Sequence, residues 1–499
     1  MLLFAALASV LAAAMPGAQA GGALDAAEVS MTMGSTTVAS GGCTTTTISV
    51  DPDKTGQQVQ LQRRTREGWR TLSTAVLGSG STVTLRRCFG WSDLGSVRLR
   101  ARWPKQDASN ATGIGPVRTV RVVRAKWMRR VDRLVRGRAI GVSVGVGTVA
   151  GNPDDDAYLY RRADGTRRTP ASNEKLLLSM AALERFGSSH IFPTKAAATG
   201  AGDGVVGNLW ILGTGDPEVG GGRMHVLAHR LRDAGLRRVR GRVLGSTGGF
   251  RRDWWAKGWK RFFPDVEIPL PTALTWRGNR VRGHHIRDPE RRAAAALTQE
   301  LRRAGIVVKG RPGAGKPPGG LPLVAQARSP VLSTLLRHQN VHSRNFFAEV
   351  LGKALGADRF GHPGTIRKGA RAIEAFGRTH GVRVRSFDSS GLSYANRVAP
   401  GGIVRLLWAA EEQPWLGALR SSLPAAGQGT LRGRLRGVTL RAKTGTLTDI
   451  SALSGWVWLE QEDRWATFSI LSRGMRKDTA SGIEDRIVRA ITGGARVPD

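Results

Sequence analysis

Pro170-Ala171-Ser172-Asn173-Glu174-Lys175, followed by the apolar run Leu176-Leu177-Leu178-Ser179-Met180-Ala181-Ala182-Leu183, is the stretch that decides how the chain is read. Pro170 stops whatever precedes it, and Ser172 stands where a helix would begin. Lys175, three residues on, then lies one turn above Ser172 on the same face. A serine at a helix N-terminus meets free backbone N–H groups and the positive end of the macrodipole. An amine one turn away can take its proton, so the pair supplies a nucleophile and a base. Taken alone, S-x-x-K also reads as an N-cap beside a solvated lysine. Two features favour the chemical reading. The motif occurs once, and the helix after it is apolar on nearly every face, as a central buried helix is.

The 499 residues suffice for two or three domains with sizeable cores. Residues 1–20 read as a secretory signal: Leu2 to Met15 is an apolar core, and Ala18-Gln19-Ala20 a small-x-small cleavage site. No Lys or Arg precedes the apolar core, so the start lies upstream or the signal is atypical; retention as an anchor is the alternative. Export makes a Cys43–Cys88 disulfide the leading reading of the two cysteines, and nothing in their spacing implies a metal. The net charge is +38, largely arginine spread along the whole chain. It reads either as solvated faces of an Arg-rich composition or as adhesion to an anionic wall polymer or membrane face; an exported chain seldom meets nucleic acid.

Residues 28–124 carry short alternating runs separated by turn residues, the pattern of a small all-β sandwich resembling bacterial immunoglobulin-like modules. From Lys126 the pattern changes to mixed helices and strands, with a Pro/Gly/Lys-rich connector expected over residues 310–322 and a single strand over Val239 to Leu244. Trp254, Trp255 and Trp259 read as loop packing, and His284-His285 as a turn. A strand over Leu440 to Leu447 and a hairpin after it close the domain, with a last helix from Ile483 to Ile491.

Two more motifs follow Ser172 and Lys175 in order: Ser343-x-Asn345 between helices, and Lys443-Thr444-Gly445 on a strand. The ordered set resembles that of penicillin-recognising serine acyltransferases. In that resemblance Ser172 is the nucleophile, and Lys175 its base, made neutral by burial beside a second cation, Lys443. Lys443 also offers charge to a substrate carboxylate. Ser343 passes a proton to the leaving amine, and Asn345 holds Lys175 and a substrate amide. Gly445 lets an edge strand approach the ligand, and the N–H groups of Ser172 and Thr446 form an oxyanion hole. A second Lys-Thr-Gly, at Lys54-Thr55-Gly56, is out of order and reads as a chance match.

With Gly213-x-Gly215-Asp216-Pro217, Ser343-x-Asn345-x-x-Ala348-Glu349 and Asp388-x-Ser390-Gly391-Leu392-Ser393, the chain resembles the D-alanyl-D-alanine carboxypeptidase/endopeptidase family (peptidase S13, low-molecular-mass class C penicillin-binding proteins) over residues 126–495. The resemblance implies an α+β catalytic domain, a five-stranded antiparallel sheet flanked by helices, with an inserted α/β subdomain at about residues 195–325. It implies an exported serine peptidase that cleaves D-Ala-D-Ala termini of peptidoglycan stem peptides, is acylated by β-lactams, and needs no cofactor or metal. Thr444, Gly445, Thr446 and Ser390 would bind substrate. Arg344 stands where the family usually has Asp, and the stretch from Asn279 to Asp288 is short for the family's full second insertion. A catalytically idle wall-binding protein and a β-lactamase are the competing readings.

Overall fold

The computed structural model describes residues 24–147, 158–200 and 203–498; the leader expected over residues 1–20 lies outside them. The chain forms two units, one ending at Val123 and the other containing everything from Arg124 onward, with Gly90–Ser92 belonging to the second.

In the first unit, Glu28–Met33, Cys43–Asp51 and Thr82–Cys88 make one sheet. Thr37–Ala39, Arg118–Val123, Gly95–Trp103, Gln58–Arg64 and Trp69–Val76 make another. Along Cys43–Asp51 every second residue is buried, Thr44, Thr46, Ile48 and Val50 facing the core with Leu61, Leu99 and Trp103. One pair departs from the antiparallel expectation: Thr37–Ala39 runs parallel to Arg121–Val123. Cys43 and Cys88 oppose each other on adjacent strands and form a disulfide. The out-of-order Lys-Thr-Gly has a structural use. Lys54 is buried, its Nζ 2.9 Å from Asp107 Oδ2 and 2.7 Å from Ser109 Oγ, above the Trp103 ring.

The second unit is built on an antiparallel sheet in the order Tyr158–Arg162, Ala139–Gly145, Arg464–Arg473, Ile450–Leu459, Leu440–Leu447. Strand alternation gives it two apolar faces. Leu453, Val457, Phe468 and Ile470 meet the helices Lys126–Val135 and Lys477–Thr492. Ala452, Trp456 and Leu471 face the opposite way, toward the helix Glu174–Phe186 and its neighbours. That helix is buried at every position from Glu174 to Leu183, as an all-round apolar sequence requires.

Between Thr194 and Ala327 the chain makes a second, mixed sheet, with Gly313–Gly315, Val243–Ser246 and Leu209–Leu212 parallel and Thr194–Ala197 and Leu323–Ala327 antiparallel. Helices Gly221–Asp233 and Pro289–Arg303 pack on it. Two expectations fail here. The strand foreseen over Val239 to Leu244 is two, Arg238–Val239 and Val243–Ser246, in different sheets. The break is at Gly241, where a Cβ would lie 2.3 Å from Asn208 Oδ1. The connector at 310–322 contains the strand Gly313–Gly315; its order comes from pairing with Val243–Ser246, not from its own Gly-rich composition.

Candidate active site

Ser172 does not cap the helix. Ala171–Asn173 form a 3-10 turn and the α-helix begins at Glu174. Ser172 therefore sits in the turn leading in, half-buried, with Ala171 before it at a φ of 48°. Lys175 reaches back beneath that turn. Its Nζ lies 3.1 Å from Ser172 Oγ, 2.8 Å from Asn345 Oδ1 and 2.5 Å from the carbonyl oxygen of Ser390. Burial pulls the Lys175 ammonium down to about 8, against the opposing pull of Asp388 and Glu349.

Asn345 opens the helix Asn345–Phe360, and Ser343 precedes it with a φ of 54°, a left-handed kink between two helices. Ser343 Oγ thereby meets Lys443 Nζ at 2.9 Å. Arg344, between them, points away: its guanidinium stacks on Phe347 and comes within 3.8 Å of Glu218. The Asp-to-Arg departure at this position thus falls outside the hydrogen-bonded core of the site.

Lys443-Thr444-Gly445-Thr446 lie on the edge strand Leu440–Leu447. The hydrogen-bond parity of that strand decides which groups face the serine. Trp458 N–H donates to Thr439 in the ladder, while Ala442 N–H points outward to Pro424. Counting by twos, the Thr444 and Thr446 amides also point outward. Gly445 is needed against the protein's own backbone. A Cβ there would sit 2.7 Å from Pro170 O and 3.0 Å from Ser172 N. The strand can then lie against the serine turn.

A cavity of about 320 Å³ opens above these groups, with Ser172, Ser343, Asn345, Thr444 and Thr446 on its wall. All five residues read as catalytic, Ser172, Lys175, Ser343, Asn345 and Lys443, come together here, but two roles change. Lys443 is fully buried and donates to Ser343 Oγ and Thr444 O, so it cannot meet a substrate carboxylate directly. Burial first, then charge on Lys175, pushes it well below the usual ammonium range. For Lys175 burial is the largest cause of the depression. Ser390, read as substrate-binding, is fully buried; its hydroxyl donates to Asp388 and its carbonyl receives Lys175. It holds the Lys175 amine in place.

A buried layer supports the site. Glu349 lies one turn beyond Asn345 on the same helix, and its Oε1 accepts the N–H groups of Ser389 and Ser390 at 2.8 and 2.7 Å. Burial, with the charge of Asp388, pushes Glu349 up to about 8. Glu174, under the serine turn, is held well above the carboxylate range by burial and accepts from Ser386. Asp388 collects five donors: Trp259 Nε1, Ser390 Oγ and Ser393 N–H on one oxygen, Gly391 N–H and Asn396 Nδ2 on the other. The motifs contain Glu174 and Glu349, but sequence reasoning gives neither a role. The signal for one was there, as carboxylates in otherwise apolar helices. Lys260, Glu267 and Tyr394, also on the cavity wall, had no signal in loop sequence.

Against known proteins, the model of the D-Ala-D-Ala carboxypeptidase 3 (S13) family matches residues 130–282 and 270–493. A D-alanyl-D-alanine carboxypeptidase of Actinomadura sp. (strain R39) is 28% identical over 448 residues, 71% of this chain and 81% of that protein. A carboxypeptidase of Mycobacterium tuberculosis is 27% identical over 396 residues, 70% of this chain and 83% of its own length. The crystal structure of penicillin binding protein 4 from Haemophilus influenzae covers 72% of this chain and 99% of its own, with a TM-score of 0.62 at 19% identity. That likeness extends to the fold.

Proposed function

Since the chain belongs to the D-Ala-D-Ala carboxypeptidase 3 (S13) family and is a serine-type carboxypeptidase, we propose that Ser172 is its nucleophile and that it works outside the cytoplasm, on stem-peptide termini and on the cross-links that carry the same D-Ala bond. The observation that carries this is the Lys175 amine, buried and within 3.1 Å of Ser172 Oγ.

Ser172 Oγ attacks the carbonyl carbon of the penultimate D-alanine as its proton passes to Lys175 Nζ. The oxygen turns toward the Ser172 and Thr446 N–H groups, which stabilise its developing charge. Ser343 Oγ gives its proton to the leaving nitrogen and is reprotonated through the two lysines. The terminal D-alanine leaves, and water then cleaves the ester with Lys175 again as base. The substrate's terminal carboxylate meets the Thr444 and Thr446 side of the cavity, with Lys443 acting from below through Ser343. β-Lactams acylate the same serine because their ring carbonyl stands where the peptide carbonyl would. Anionic wall polymers are a further partner in this reading, consistent with a charge of +38.

The test is uptake of labelled penicillin by purified protein, with the adduct mapped by mass spectrometry and D-alanine release followed on a pentapeptide. Ser172→Ala is expected to abolish both. Folded protein that takes up no label, or label that persists in the Ser172→Ala variant, would overturn the assignment. Release of dimeric muropeptides' cross-links would establish the endopeptidase action.

A further inference from the structure

Arginines dispersed along the sequence gather around a cavity that shares no lining residue with the one above Ser172. Backbone pairing brings three segments together. Arg168 and Val398 exchange N–H···O bonds at 2.8 and 3.0 Å, and Arg385 and Arg397 do so at 2.9 and 2.8 Å. The helix Pro400–Glu411 starts beside them, Gly401 N–H donating to Asp164 O. Between the segments lies a cavity of about 540 Å³, larger than the one above Ser172. Two glycines keep it open. A Cβ on Gly401 would lie 2.8 Å from Asp164 Oδ2, and one on Gly402 2.8 Å from Val382 Cγ1.

Arg161, Arg167, Arg383 and Arg405 line this cavity, and Asp164 is the one acid lining it among the described residues. Asp164 pairs with Arg161 at 2.9 Å. Arg167, Arg383 and Arg405 are exposed, and among the described residues none of the three has a carboxylate or hydrogen-bond partner for its side chain. Nearby Arg397 is lowered by burial and then by the charges of Arg473, Arg167 and Arg385, so further cations stand close to this cluster. Guanidinium forks arranged around a common space fit phosphate oxygens bidentately.

We propose that this cavity docks the phosphate groups of a polyphosphodiester of the cell envelope. The proposal rests on the extracytoplasmic reading given above. Cations from three separate segments around one space suit repeating charges better than a single anion. A nucleic acid would need aromatic faces for its bases, and the Tyr158 ring is already covered by Arg161 and Trp408. A membrane surface would gain from exposed apolar side chains beside the cations. Among the described residues these segments expose no large hydrophobic side chain. Docking here leaves Ser172 open, so it tethers the enzyme to the wall without blocking catalysis.

Binding of the full chain to poly(glycerol phosphate) across a salt series tests this. The variant Arg167→Gln/Arg383→Gln/Arg405→Gln is compared with Arg238→Gln/Arg240→Gln/Arg311→Gln, which removes the same charge from exposed positions elsewhere. The first is expected to bind about tenfold more weakly or worse with a shallower salt dependence, the second within about threefold of the parent. Equal weakening by both would show net charge at work and overturn the site. Tighter binding to polyglutamate, or to phosphatidylglycerol vesicles with the same arginine dependence, would also overturn it, in favour of a carboxylate polymer or a membrane. Acylation by a soluble β-lactam reports folding and is expected unchanged in both variants. Should the triple variant not fold, Arg383→Gln and Arg405→Gln singly carry the test, each expected to weaken binding about threefold. Loss of polymer binding with acylation intact leaves the peptidase reading standing; loss of acylation by the parent does not touch the docking result.

Discussion

In the proposed mechanism, Lys175 is a buried amine that acts as a base. A neutral amine has two N–H donors and one lone pair. Asn345 Oδ1 and Ser390 O take the donors, and the lone pair is left for the Ser172 hydroxyl. A charged ammonium would use all three directions as a donor and could not accept the serine proton. Acylation therefore follows the deprotonated fraction, and with Lys175 drawn down to about 8 the rate should rise tenfold per pH unit below that value and level off above it. Stopped-flow acylation by a β-lactam between pH 5 and 10 measures this; a flat profile would remove Lys175 as the base. Glu349 sharpens the prediction. When the Lys175–Glu349 pair holds one proton, that proton can sit on either residue, and a charged Glu349 favours the ammonium. Glu349→Gln removes that competing state, so the acid limb should move to lower pH while Oε1 still accepts from Ser389 and Ser390. Glu349→Ala leaves both amides without an acceptor, costing about 1–3 kcal/mol in positioning, and should lower the rate at every pH. A purely structural role would lower both variants alike and leave the limb in place.

At the scale of elements, the site depends on backbones that approach closer than side chains allow. Gly445 is the joint between the edge strand and the serine turn. Gly445→Ala must push them apart, since its Cβ would lie 2.7 Å from Pro170 O. Acylation should fall about a hundredfold or more, the loss typical of a single oxyanion-hole donor. Gly56 of the other Lys-Thr-Gly has a φ of 84°, and a Cβ placed there would meet nothing within 4 Å, so Gly56→Ala should cost only about 1–2 kcal/mol of backbone strain and leave acylation alone. Parallel acylation and denaturation assays on the two variants separate the catalytic copy from its look-alike. The contrast also shows what was legible. Ser172 and Lys175 could be read because one helical turn joins them, and the strand Leu440–Leu447 because its apolar pattern is continuous. The layer beneath could not: Glu349 meets Ser389 across 40 positions of sequence, and only the tertiary fold makes that contact. The strand Gly313–Gly315 was hidden for the same reason, having a partner but no propensity.

Over the whole molecule, sequence position and spatial position part company most for charge. The arginines looked evenly spread, and the fold collects several of them around one cavity while others remain singly solvated. The change from alternating runs to helical spacing falls near Lys126, and the chain divides into two units, each with apolar residues for its own core. That separateness has a measurable consequence. The Cys43–Cys88 disulfide closes a loop with a sequence separation of 45 inside the first unit. Chain-entropy arguments give such a closure about 4 kcal/mol, a large share of the roughly 5–15 kcal/mol that a small domain has in all. The serine, its base and the buried carboxyl layer all belong to the second unit and to other cores. Cys43→Ala/Cys88→Ala should therefore lower the urea midpoint of the β unit, read by a probe within it such as the buried Trp103 environment, while the midpoint for loss of β-lactam acylation stays where it was. If the two midpoints move together, the units unfold as one cooperative body and the first contributes directly to the stability of the catalytic fold.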